Sequence, residues 1–100
     1  MIVIAGTITI DPTKRDEAFA AAKVIMKETR KEAGNVAYTF SADLEDDSVV
    51  HVFEQWESQQ SLDLHFKTPH MAAFQAKIGK LGVTDMQLAK YQISSIGSVF

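Results

Sequence analysis

Large aliphatic residues alternate with small or β-branched ones at the start of the chain: Ile2, Ile4, Ile8 and Ile10 against Val3, Ala5, Thr7 and Thr9. A period of two predicts a strand. Asp11-Pro12 ends it and opens a helix, with Asp as N-cap and Pro at the first helical position. That helix is predicted to run to about Ala33, where Gly34 stops it. Phe19, Ala22, Ile25, Met26, Thr29 and Ala33 share its apolar face, opposite a solvated face carrying Lys23, Lys27, Arg30 and Lys31. Alternation resumes over Asn35–Leu44, with Val36, Tyr38, Phe40 and Ala42 on one side. After the polar turn Glu45-Asp46-Asp47-Ser48, Val49–Trp56 alternates again, so residues 35–56 read as an antiparallel hairpin. Ser58 caps a short helix through about Phe66. A second helix spans 69–80, and Met86 to about Phe100 reads as a last strand.

The resulting order, β-α-β-β-α-β with the second helix broken at Pro69, is the ferredoxin-like arrangement of an α+β fold. Its antiparallel sheet carries the helices on one face, so the other face is expected to be polar. It is not. Val3 and Ala5 stand opposite Ile2 and Ile4, Val49 and Phe53 opposite Val50 and Val52, and Ala89, Tyr91 and Ile93 opposite Met86 and Leu88. An uncovered apolar sheet face calls for a partner. The expectation is a homodimer with two sheets packed face to face across a twofold axis. His51, on the same side as Val49 and Phe53, falls in that interface.

Length and composition narrow the class. One hundred residues suit a single domain over 1–100, and 46% hydrophobic residues supply one core. The net charge of −3, with no basic cluster unbroken by acids, argues against nucleic acid and against a membrane surface. The apolar N-terminus alternates and lacks a basic start, so it reads as a strand and not as a signal or span. There is no cysteine, which excludes disulfides and thiolate chemistry. A cytoplasmic location is the expectation.

No phosphate loop, dinucleotide fingerprint, nucleophile elbow or HExxH is present. Titratable and aromatic groups concentrate instead at residues 50–74, which hold the only Trp and two of the three His. A pocket, if the domain has one, is expected there. His65 closes the first short helix. It either points into the pocket, as a proton shuttle or hydrogen-bond donor, or caps carbonyls at the helix end. His70, in the first turn of the next helix, is a weaker candidate at the pocket rim. Glu54 shares a strand face with Val50, Val52 and Trp56. A buried carboxylate there is either a structural hydrogen-bond partner or a polar group at the pocket floor with a raised pKa. Tyr38, Phe40, Trp56, Phe66 and Phe74 line an aromatic cavity or fill a core. A metal site is not expected. His65 and His70 are five apart, where helical pairs favour three or four, and only Asp63 and Glu54 stand near as a third ligand.

The run EQWES-QQSLDLH-FKTPHMAAF, Glu54 through Phe74, following the IVIAGTITI-DP start, resembles the antibiotic biosynthesis monooxygenase family, most of all its small quinol-monooxygenase-like members. The resemblance extends over nearly the whole chain. It implies a dimeric α+β barrel, and an activity: oxygenation of polycyclic phenols, anthrones or quinols by molecular oxygen without metal, flavin or other cofactor. His65 matches the family's helix-end His and takes the proton-handling or substrate-anchoring role. Tyr38 and Trp56 become hydrogen-bond donor and wall. Haem-degrading relatives use an Asn, a Trp and a haem-ligating His. Here Gly6 and Thr7 stand in the first strand, and His65 and Gln75 occupy the other two positions, so haem degradation is not expected. The alternative function is a non-catalytic dimeric domain that binds aromatic compounds or serves a stress response. An isomerase or decarboxylase on the same scaffold, or a purely structural oligomer, are further possibilities.

Overall fold

The predicted alternation of the first segment becomes strand β1 (Ile2–Thr9) in a computed structural model that describes residues 1–100. A single 3₁₀ turn at Pro12–Lys14 leads into α1 (Arg15–Thr29), and its start is capped by Asp11, whose side chain accepts from the Thr13 amide. Strands β2 (Asn35–Ala42) and β3 (Val49–Trp56) form the hairpin, followed by α2 (Gln59–His65), α3 (Pro69–Ile78) and β4 (Asp85–Gln92). All pairings are antiparallel, in the order β2-β3-β1-β4. The ferredoxin-like α+β architecture is therefore as the sequence predicts. No helix is long and apolar enough to cross a membrane.

Register decides which residues share a face, because side chains directly opposite across a pair point the same way. Ile4 and Tyr38 both pair with Glu54, and Phe40 pairs with Val52. These, with Ile2, Ile8, Val50 and Trp56, make the inner face. The helices cover it with Ala21, Ile25, Leu62 and Phe74, all buried. The outer face holds Val3, Ala5, Thr7, His51, Phe53, Ala89 and Tyr91 by the same register. Phe53 stays 43% and Tyr91 51% exposed there. His51 Nε2 lies 2.7 Å from Asp43 Oδ1.

Two segments differ from the sequence reading. α1 ends at Thr29, four residues before Ala33, and the chain continues through turns to Gly34. Arg30 is tied to β2 by its Nε, which donates to the Tyr38 carbonyl at 3.0 Å. Gly34 has a φ of +84°, and a Cβ there would collide with the Ser61 side chain, so only glycine fits. The last strand stops at Gln92 instead of continuing to Phe100. Its last bond to β1 runs from the Ile93 amide to the Met1 carbonyl at 2.9 Å. Beyond Ile93 the chain leaves the sheet, and Ile96, Val99 and Phe100 stand exposed.

Candidate functional site

The break between α2 and α3 is built from three residues. Ser58 starts α2 by accepting from the Ser61 amide, and Thr68 starts α3 by accepting from the Met71 amide. Thr68 Oγ1 also donates to the His65 carbonyl at 2.7 Å. Pro69, at the first position of α3, loses no helical bond there. This locks the end of α2 to the start of α3 and sets His65 and His70 side by side, ring centroids 6.2 Å apart.

The partner that both imidazoles share is Glu32. His65 Nδ1 lies 2.8 Å and His70 Nε2 2.7 Å from Glu32 Oε2. A carboxylate only accepts, so the ring nitrogens facing it are the N–H donors. The Nε2 of His65 is then left with no hydrogen-bond partner, in a side chain only 1% exposed. Its ring packs against Trp56 and Tyr38, with centroids 4.8 and 5.4 Å away. The Thr29 hydroxyl is a second buried polar group without a partner.

Beside this cluster, a cleft of about 260 Å³ opens between the inner sheet face and α3. Tyr38, Phe40, Glu54, Met71 and Phe74 line it, and Met86 and Leu88 of the uncovered edge strand form its rim. Phe40 and Phe74 stack at 5.6 Å, 18° from parallel. Glu54 is the acid among the lining residues, and its Oε1 accepts from Trp56 Nε1 at 3.0 Å. Burial, above all, and the nearby Glu32 charge push its pKa above the ordinary carboxylate range, against the pull of the Trp56 bond. Tyr38 is also pushed well above the ordinary phenol range, first by burial and then by the charges of Glu54 and Glu32. Its hydroxyl therefore stays protonated and keeps a proton to donate.

The sequence candidates thus divide. Tyr38, Phe40, Glu54 and Phe74 line the cleft, whereas Trp56, His65 and His70 belong to the cluster around Glu32. Tyr38, touching His65, and the Glu54–Trp56 bond join the two. His65 does not line the cleft. Phe66, the residue after α2, stands exposed and does not line the cleft. Both roles weighed for Glu54 coexist, since it is hydrogen-bonded within the fold and faces the cleft. The two residues considered as third metal ligands are engaged elsewhere: Asp63 with the Gln59 side chain at 2.9 Å, Glu54 with Trp56. Glu32 escaped the sequence reading. It sits in a charged run, Lys27 to Glu32, that reads as a solvated helix face, and only the early end of α1 turns it inward.

A family model, that of antibiotic biosynthesis monooxygenases, matches residues 1–77. The chain belongs to this family. An uncharacterized Synechocystis protein is 32% identical over 93 residues, 93% of this chain but 63% of its own length, so the chain spans under two thirds of that relative. Bacillus subtilis YcnE, provisionally named a monooxygenase, is 26% identical over 94 residues, covering 94% of this chain and 99% of its own. The structure of a Deinococcus radiodurans protein provisionally assigned as an antibiotic biosynthesis monooxygenase superposes with a TM-score of 0.91 at 21% identity. It covers 100% of this chain and 99% of its own, and supports the fold. The antibiotic biosynthesis monooxygenase match takes in Glu32, Tyr38, Glu54, Trp56, His65, His70 and Phe74, hence both halves of the site.

Proposed function

We propose that this chain is a cofactor-independent monooxygenase that oxidises a flat phenol, quinol or anthrone with molecular oxygen. The observation that carries the reading is the cleft, where an apolar, aromatic lining meets one carboxyl of raised proton affinity, Glu54, and one phenol donor, Tyr38. Such a substrate needs little from the protein. Removing its hydroxyl proton gives an electron-rich anion that reduces oxygen by one electron. The substrate radical and superoxide then combine into a peroxide. Loss of water leaves a carbonyl, so that one oxygen atom enters the product and the other leaves as water.

In this reading Phe40 and Phe74 hold the ring, Glu54 accepts the hydroxyl proton, and Tyr38 donates to the oxyanion. His65 packs behind Tyr38 and Trp56, where Glu32 fixes its tautomer and leaves the Nε2 lone pair free to take up a proton. His70 steadies Glu32 at the cluster's outer side. The outer sheet face, with Phe53 and Tyr91 exposed, pairs with the same face of a second copy.

The test is oxygen uptake by chelator-treated protein against a panel of quinols and anthrones. Uptake at least tenfold lower in Glu54→Gln and in His65→Ala supports the assignment. Equal rates in both variants remove these residues from the chemistry. Ligand-induced thermal stabilisation without any turnover transfers the protein to the alternative, a binding domain for aromatic compounds.

A further inference from the structure

Three elements converge on one carboxylate oxygen. Glu32 lies in the turn after α1, His65 closes α2 and His70 stands in the first turn of α3, and their candidate ligand atoms all lie within 4.8 Å of one another. We propose that Glu32, His65 Nδ1 and His70 Nε2 bind a divalent transition metal ion of the Zn²⁺ and Co²⁺ class.

The donor set selects that class. Two imidazoles and a carboxylate suit zinc and its neighbours, whereas Mg²⁺ and Ca²⁺ take oxygen ligands. Three protein ligands leave a position open for water, as in non-structural zinc sites. Binding draws the two imidazoles together, because the three ligand atoms now lie within 4.8 Å of one another. Ligand atoms roughly 2.0–2.1 Å from a zinc ion lie roughly 2.9–3.3 Å apart at tetrahedral to right angles. The two nitrogens here already stand 2.8 and 2.7 Å from Glu32 Oε2. The site is also held and reachable. Thr68 ties the His65 carbonyl to the cap of α3, which fixes the two imidazoles relative to each other. Side-chain exposure rises from 1% at His65 through 13% at Glu32 to 21% at His70, giving an entry path from solvent.

Loading has a consequence for His65. With Nδ1 on the metal, the remaining ring proton sits on Nε2, buried and without a hydrogen-bond acceptor beside the Trp56 and Tyr38 rings. Metal binding and the proton role proposed above therefore exclude one another. The metal site itself does not rest on the oxygenase reading, and its test needs no substrate.

Trp56, the only Trp of the chain, lies 4.8 Å from the His65 ring and reports on the site. Chelator-treated full-length protein is titrated with Co²⁺, following Trp56 fluorescence and visible d–d absorption, and then with Zn²⁺. The expected result is saturable quenching at one equivalent, reversed by Zn²⁺ and insensitive to Mg²⁺. Affinity is expected to fall at least tenfold in Glu32→Gln and in His70→Ala, and to stay unchanged in His51→Ala. Both weakened variants change partly exposed positions. Should Glu32→Gln not fold, His70→Ala decides alone. No saturable quenching, or quenching that His70→Ala leaves unchanged, overturns the proposal.

Discussion

Replacing Trp56 with Phe isolates one hydrogen bond in the site. Its Nε1 donates to Glu54 Oε1 at 3.0 Å, and both side chains are buried. Among the influences on Glu54, burial and the Glu32 charge raise the pKa, and this bond opposes them. The sign follows from linkage. A carboxyl whose folded pKa lies above its unfolded value contributes stability in full below the unfolded pKa, and loses it as pH rises through the folded one. Trp56→Phe pushes the folded pKa higher still, so the variant loses more stability at high pH than wild type does. A hydrogen bond to an ionised group contributes roughly 1.5–3 kcal/mol and one to a neutral group about 1. The smaller ring adds a loss that does not depend on pH. Urea unfolding followed by circular dichroism, at pH 4 and pH 8, separates the two terms. The expected cost of the substitution is larger at pH 8 by about 1 kcal/mol or more. In a Glu54→Gln background, where position 54 no longer ionises, the part of that difference due to Glu54 vanishes. Equal costs at the two pH values would show that Glu54 does not ionise against Trp56, and would refute the reasoning.

Other substitutions test the scaffold and the proposed assembly. Leu62→Ala, at a buried position of the main core cluster, is expected to cost about 2–5 kcal/mol in chemical denaturation, and a loss under 1 would mean that the α2 contact is loose. Gly34→Ala, at positive φ and against Ser61, is expected to cost more than about 1 kcal/mol, read as a fall in Tm. Wild type is expected to sediment as a dimer in analytical ultracentrifugation and Phe53→Lys, on the exposed outer face, as a folded monomer, and an unchanged dimer would place the interface elsewhere.

The fold was legible because its signals are periodic. The alternation of Ile2, Ile4 and Ile8, the Asp11-Pro12 and Thr68-Pro69 starts, and the apolar spacing of α1 each follow from local geometry. The odd position of Glu54 on an apolar strand face was legible for the same reason, since a period of two assigns it to the inner side whatever the tertiary structure. The end of α1 was not. Whether the helix continues past Thr29 depends on Arg30 finding the Tyr38 carbonyl, a contact between elements that no local pattern encodes. Glu32 lies in the turns beyond that end, so the centre of the histidine cluster stayed hidden. The length of β4 likewise depends on its pairing with β1, from Ile2–Gln92 to Thr9–Asp85, and not on its own alternation.

The central claim is that the cleft beside Glu54 and Tyr38 oxygenates a flat aromatic substrate without a cofactor. Its most direct test is isotopic: chelator-treated protein turning over an anthrone or quinol under ¹⁸O₂, with the product analysed by mass spectrometry. The account predicts one ¹⁸O atom per product molecule, formed faster than in the protein-free control and lost in Glu54→Gln. Unlabelled product, or labelling no faster than without protein, contradicts it.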